Sequence, residues 1–304
     1  MTGILIMDKP AGFTSFDVVA VMRGVCRERK IGHTGTLDPM ATGVLPLLLG
    51  TATRALPFLP DTDKEYEAGF RLGLATDTQD STGKTIAESS VRASRAQLES
   101  VLPRFRGDIL QTPPMYSAVS VNSQRLYDLA RRGIEVERKK RPITIFRLEL
   151  LEFDEATQSG RLSVSCSKGT YIRTLCADIG EALGTYGVMT SLRRTRAAGY
   201  SLSDAVTLEQ AKALAAEGRI AERVLPVESL FTSYPAVTVS AAQAVRFSNG
   251  GALDLSRTSL RSAQLSDGSR FRVLSPENVF LGLGEVRDKN LAVLRLFPRE
   301  GGTK

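Results

Sequence analysis

The sequence predicts a large α+β domain over residues 1–233 followed by a small β domain over residues 234–304. Three observations carry this. Strand-like alternation, with Tyr66, Ala68, Phe70 and Leu72 set against Glu67, Gly69 and Arg71, is interspersed with helical periodicity, with Ile172, Leu175, Cys176, Ile179 and Leu183 on one face. A stretch that looks like a linker, Arg223–Pro235, comes later. Beyond Tyr234-Pro235 the texture changes to short β-like runs separated by the turn signals Asn249-Gly250-Gly251 and Asp267-Gly268. A chain of 304 residues suffices for two domains and a sizeable core.

Taken in order, Ile4–Met7 reads as a short buried strand and Asp8-Lys9-Pro10-Ala11-Gly12 as a turn. Thr14-Ser15-Phe16-Asp17 is a capping-box-like helix start, with Val18, Val21, Met22 and Val25 on one face. That helix is expected to end in Arg27-Glu28-Arg29-Lys30, which reads equally as a solvated last turn and as a phosphate contact. Tyr66–Leu72 reads as a half-buried strand, Ala75–Thr85 as polar and turn-rich, and Ser94–Leu102 as a helix. Ser123–Arg132 is a candidate short helix, Pro142–Phe153 and Arg161–Cys166 are strands, and Thr170–Leu183 is a helix stopped by Gly184. Met189–Ala197 is a strand carrying Arg193, Arg194 and Arg196, and Thr207–Gln210 is a capping box opening a helix to Glu217. In the small domain, strands are expected at Val237–Val239, Gln264-Leu265, Arg270–Leu274, Val279–Glu285 and Leu291–Leu296, and Glu300–Lys304 reads as a frayed tail.

Composition narrows the function. Hydrophobic content of 42% and charged content of 24% are ordinary for a soluble globular protein, and a net charge of +7 favours a polyanionic partner such as nucleic acid. The cysteines, Cys26, Cys166 and Cys176, are odd in number and unclustered, which argues for small core residues in a reducing compartment. One histidine, His33, leaves little for a transition-metal site. No signal peptide or membrane-spanning run is apparent, so a cytoplasmic protein is expected. Gly83-Lys84-Thr85 lacks the earlier glycine of a phosphate loop, because position 78 is threonine, and Gly282-x-Gly284 lacks a third glycine at Arg287.

The stretch Gly32-His33-Thr34-Gly35-Thr36-Leu37-Asp38-Pro39 stands out. Gly32 and Gly35 permit positive φ and close backbone approach, and Pro39 keeps Asp38 out of helical angles. A short carboxylate on a stiff loop beside the apolar run 40–50 suits a catalytic group; taken alone, it suits a turn-capping Asp better. Arg173 falls in the first turn of its helix, where the dipole disfavours a cation by roughly 0.3–1 kcal/mol. An arginine in that place calls for a carboxylate partner, and Asp38 is the one expected.

The wider sequence decides between these readings. The Gly32–Pro39 string with Ala41-Thr42-Gly43-Val44-Leu45-Pro46 closely resembles the active-site motif of the bacterial tRNA pseudouridine-55 synthases, the TruB family. Met7-Asp8-Lys9-Pro10, Lys64-Glu65-Tyr66 leading into Phe70-Arg71-Leu72-Gly73, and Ser167-Lys168-Gly169-Thr170-Tyr171-Ile172-Arg173-Thr174 agree in the same order, and the resemblance runs from about Ile4 to about Phe297. The departures, Thr36 and Thr195, are mild. The resemblance implies a pseudouridine synthase fold, with a large mixed, mainly antiparallel sheet flanked by helices, plus a small C-terminal PUA-like RNA-binding β-barrel. It implies a cofactor-free enzyme that isomerises a uridine in the T-arm loop of tRNA by flipping the base out of its stack.

Roles follow residue by residue from that resemblance. Asp38 matches the catalytic carboxylate, Arg173 its arginine partner, and Tyr66 the ring that stacks on the flipped base, with a hydroxyl able to assist proton transfer. Tyr171 and Leu192 match residues lining the base pocket, His33 the residue that fills the gap left by the base, and Lys9 a supporting lysine. The proline-, aromatic- and base-rich segment from about Gln111 to Pro142 matches an insertion that clamps the tRNA loop; its composition alone fits an exposed hairpin equally. Two other readings use the same features: a non-catalytic tRNA-binding protein or RNA chaperone, and a guide-RNA-dependent synthase. The first leaves Asp38, Arg173 and Tyr66 without a purpose. The compact chain, with no long charged extension, argues against the second and for a stand-alone enzyme; a monomer is expected.

Overall fold

The structure is a computed structural model, and it describes residues 1–60, 63–117, 119–121 and 124–297. The chain opens with β1 (Gly3–Lys9), α1 (Ser15–Val25), β2 (Ile31–His33), β3 (Thr42–Leu49) and β4 (Lys64–Leu72). A hairpin of β5 (Leu74–Thr76) and β6 (Thr85–Glu88) precedes α2 (Arg95–Val101) and β7 (Gly107–Gln111). Next come β8 (Ser120–Val121), β9 (Gln124–Arg125) and α3 (Leu126–Arg131), and then β10 (Arg141–Asp154), β11 (Ser159–Cys166), α4 (Ile172–Ala182), β12 (Gly187–Ala197), β13 (Tyr200–Ser201) and α5 (Leu208–Ala216). The C-terminal part holds β14 (Ala236–Thr238), α6 (Ala241–Ser248), β15 (Leu253–Asp254), β16 (Arg270–Leu274), β17 (Phe280–Arg287) and β18 (Asn290–Leu296).

Among the described residues the main sheet has nine strands, in the order β1-β3-β12-β4-β11-β10-β7, with β2 on β3 and β13 on β12. It is mixed and mainly antiparallel, because β3 and β12 alone among these neighbours pair in parallel. The alternation in β4 buries Tyr66, Ala68, Phe70 and Leu72 against α4, whose apolar face places Ile172, Leu175, Cys176 and Ile179 in the same core. α1 packs Val18, Val19 and Met22 on the other core layer, fixed at its start by the Thr14–Asp17 capping box. Among the described residues no helix is long and apolar enough to cross a membrane.

The C-terminal strands form a separate five-stranded sheet, β14-β16-β17-β18-β15, around Val237, Phe247, Val273 and Leu291. Together the two sheets and their helices make an α+β fold, a large mixed sheet flanked by helices followed by a small C-terminal β unit, the architecture expected from the resemblance.

Several sequence expectations change. Helix α6 lies within the stretch read as β-like, opened by a Ser240–Gln243 capping box, while Gln264-Leu265 forms no strand. The basic cluster follows α1 rather than ending it, because Cys26 caps the helix and Arg27 takes φ +48°. The stretch Arg223–Pro235 is no linker. Leu225 pairs with Ile4, and the 3₁₀ turn Val227–Phe231 buries Leu230 and Phe231 against Ile6, Val44, Leu283 and Phe297, joining both sheets in one apolar cluster. Polar and proline residues in that stretch mask three large apolar side chains. The tail Glu300–Lys304 lies outside the described residues.

Candidate active site

Three central strands build the floor of the site. In register, Gly43 of β3 pairs with Arg194 of β12, and Arg194 pairs with Tyr66 of β4. Gly43 has φ +103°, and a Cβ there would lie 2.2 Å from the Arg194 carbonyl oxygen. This is the glycine the backbone requires. Gly32 and Gly35 do not use the positive φ that glycine permits, and a Cβ on Gly35 would meet nothing closer than Arg194 Nη1 at 3.6 Å.

Asp38 sits on the non-helical loop between β2 and β3, as the proline after it dictates. The Ser15 hydroxyl fixes the approach by accepting from Leu37 N–H at 2.8 Å and donating to the Leu37 carbonyl at 3.3 Å. Arg173, in the first turn of α4, meets the carboxylate side-on. Its Nε is 3.0 Å from Oδ2 and its Nη2 3.4 Å from Oδ1. Two parallel contacts of this kind fix orientation as well as charge. The expected pair is therefore formed, with the arginine side chain 7% exposed and Asp38 35% exposed, so the carboxylate still opens to solvent.

Arg173 has further partners that the sequence did not announce. Nη1 donates to the Thr78 carbonyl at 3.0 Å and Nη2 to the Tyr116 carbonyl at 2.9 Å. Asp80 Oδ2 stands 3.7 Å from Nη1. Asp80 Oδ1 accepts from the Thr78 hydroxyl, the Thr82 hydroxyl and the Thr82 N–H at 2.8, 2.6 and 3.0 Å. Asp80 is missed because its stretch looks like an ordinary polar turn. In fact the β5–β6 turn closes around that one buried carboxylate.

Arg194, 1% exposed, was also missed. Its guanidinium donates to the carbonyls of Val44 at 2.7 Å, Gly35 at 3.2 Å and Thr36 at 3.4 Å, so it ties the Asp38 loop to the sheet. The signal existed: period-two alternation puts position 194 on the same inward face as Leu192.

Burial pushes the Asp38 carboxyl above its usual range, and Asp80 adds to this, while Arg173 and Lys9 oppose it. Arg173 thus favours the charged form, as a paired arginine should, against the cost of desolvation. Burial pushes the Tyr66 phenol up to about 12 despite Arg194 beside it. His33, at the end of β2, is held below its ordinary value by burial and by Arg194, and its Nδ1 is buried without a partner among the described residues. Lys9 is fully buried, and its ammonium donates to the carbonyls of Pro10 at 2.9 Å, Phe13 and Pro39 at 3.2 Å. Burial still lowers its pKa to about 8. Leu192 and Tyr66 share an apolar cluster with Leu37, and Tyr171 is the residue just before α4.

Comparison with known proteins identifies the scaffold. Residues 23–172 match the model of the TruB family pseudouridylate synthase N-terminal domain, 173–232 that of the tRNA pseudouridylate synthase B C-terminal domain, and 235–297 that of the pseudouridine synthase II TruB C-terminal region. The tRNA pseudouridine synthase B of Pseudomonas fluorescens (strain Pf0-1) is 43% identical over 99% of this chain and 97% of its own length. The chain belongs to the TruB family. It is therefore an enzyme, a pseudouridine synthase of the isomerase class. The tRNA pseudouridine synthase B of Geobacillus thermodenitrificans is 46% identical over 84% of this chain and 86% of its own. Among solved structures, a chain of a Cbf5–Nop10–Gar1 complex superposes with a TM-score of 0.74 at 25% identity, covering 98% of this chain and 84% of that one.

Proposed function

We propose that this TruB-family chain converts uridine 55 in the T-arm loop of tRNA to pseudouridine, as a cytoplasmic monomer that needs no cofactor, metal or guide RNA. The observation that carries the reading is the side-on Asp38–Arg173 pair, buried on the arginine side and open to solvent on the carboxylate side. Full-length relatives named tRNA pseudouridine synthase B support tRNA as the substrate.

The reaction breaks the bond from C1′ to N1, forms one from C1′ to C5, moves a proton from C5 to N1, and loses no atom. A charge must be stabilised at the sugar–base linkage while the base turns. Asp38 supplies it, as nucleophile or as electrostatic partner, and Arg173 keeps the carboxylate aimed. Of the two carboxylates around Arg173, only Asp38 is open enough to reach substrate. Tyr66 stacks on the flipped base. Its phenol stays protonated at neutral pH, so proton transfer through it requires Arg194 to stabilise the phenolate. Tyr171 and Leu192 line the base pocket. His33, neutral and with an idle Nδ1, fills the gap in the RNA stack. Lys9 supports the Asp38 loop through the Pro39 carbonyl.

The arm from about Gln111 to Pro142 clamps the T-arm. Two guanidinium groups stand over the Tyr127 ring, Arg125 at 6.0 Å and Arg131 at 5.6 Å, a basic and aromatic surface suited to RNA. We read residues 1–233 as the catalytic domain and 234–304 as the PUA-like RNA-binding domain.

The test is pseudouridine mapping on an unmodified tRNA transcript treated with purified protein, chelator and no cofactor. Product at the T-loop uridine is expected. Tight binding without product would favour an RNA chaperone or a guide-dependent enzyme.

A further inference from the structure

Helix α4 carries Arg173, yet its N-cap residue, Tyr171, makes no side-chain capping bond. A helix start leaves backbone N–H groups in need of partners. Here a distant side chain serves the cap residue. Gln111 Oε1 accepts from Tyr171 N–H at 2.8 Å, and Gln111 Nε2 donates to the Tyr171 carbonyl at 3.1 Å. Both ends of one amide are spent on one residue of backbone. Gln111 is 2% exposed, so little water competes.

The location of Gln111 gives this bond its interest. It is the last residue of β7 and pairs with Arg141, the first residue of β10. These two form the root of the arm. Five residues further on, past Pro113 and Pro114, the Tyr116 carbonyl accepts from Arg173 Nη2 at 2.9 Å. The root of the arm is thus fastened to the start of α4 twice, at the Tyr171 backbone and at the guanidinium that holds Asp38.

We infer that Gln111 is a positioning residue, which sets the angle of Arg173 against Asp38 and couples the seating of the arm to the geometry of that pair. The inference rests on the reading that Asp38 and Arg173 do the chemistry. Glutamine suits the task because its planar amide offers a donor and an acceptor together. Glutamate keeps the acceptor but sets a carboxylate oxygen against the Tyr171 carbonyl. Asparagine is one methylene short. Methionine fills similar space and makes neither bond.

The test uses full-length protein carrying Gln111→Met, Gln111→Glu or Gln111→Asn, with single-turnover rates on tRNA across pH, tRNA affinity and thermal unfolding. Gln111→Met and Gln111→Glu should lower the maximal rate about tenfold to a hundredfold, as small misplacements of catalytic groups do, with affinity held within about threefold. The acid limb of the rate profile should also move to higher pH. Asp38 is faced by Arg173 from α4, Asp80 from the β5–β6 turn, Lys9 from β1 and Tyr66 from β4. Loosening Arg173 weakens the strongest opposition to protonation. A shifted limb separates positioning from general loss of structure, and Gln111→Glu supplies the answer should Gln111→Met fail to fold. Unchanged rates, or losses that follow unfolding temperature with an unmoved limb, would overturn the role of Gln111 while wild type still makes pseudouridine. Absence of wild-type product would overturn the underlying reading and this inference with it.

Discussion

Asp80 stands 3.7 Å from Arg173 at Nη1, while Nε and Nη2 of the same guanidinium hold Asp38. One buried cation is thus shared by two carboxylates, of which only Asp38 is open to solvent. Asp80→Asn keeps the shape and an acceptor for the Thr78 and Thr82 hydroxyls but removes the charge. The single-turnover rate should fall by about tenfold or more while tRNA affinity stays within about threefold, since phosphate contacts dominate binding. Rate and filter-binding measurements on one preparation check this.

The glycines make a sharp contrast. Gly43→Ala forces a Cβ to 2.2 Å from the Arg194 carbonyl in a left-handed backbone and should cost ~3 kcal/mol or more. Gly35→Ala meets its nearest atom at 3.6 Å and should cost under about 1 kcal/mol. Chemical denaturation of both variants measures the difference.

Arg194 bonds three carbonyls in the interior. Arg194→Met removes every donor and leaves those acceptors dry, which should destabilise the fold by about 2–4 kcal/mol. The loss should exceed that of Arg193→Met, because Arg193 is partly exposed and pairs with Asp8 near the surface at 2.8 Å. Paired unfolding curves decide.

Asp178 of α4 offers a pH test. Burial and Glu181 raise its carboxyl from an ordinary 3.8 to about 6, with Lys140 opposing. A carboxyl raised in the folded state contributes stability that is full below its unfolded value and lost as pH rises through the folded one. Asp178→Asn should therefore gain stability over wild type at about pH 7.5, and the difference should close as pH falls from about 6 toward about 4. Unfolding temperatures across that range measure it.

Legibility followed the reach of each signal. The Thr14–Asp17 and Thr207–Gln210 caps, the alternation of β4 and the apolar face of α4 are local patterns, and their elements stand where the sequence puts them. The Asp38–Arg173 contact was legible because an arginine in a first helical turn invites a carboxylate. Asp80 and Gln111 were not, since their meaning comes from a turn and a strand end brought against α4 only in the fold. Leu225, Leu230 and Phe231 were hidden among prolines and charged residues, so a packed joint resembled a linker. Gly43 outranks Gly35 for a reason visible only in register, namely the parallel approach of β12.

The role of Asp38 in the chemistry is tested most sharply by Asp38→Asn, assayed for single-turnover pseudouridine formation at the T-loop uridine and for tRNA affinity. No detectable turnover is expected, with affinity within about tenfold of wild type. Turnover near the wild-type rate would contradict this and remove Asp38 from the chemistry.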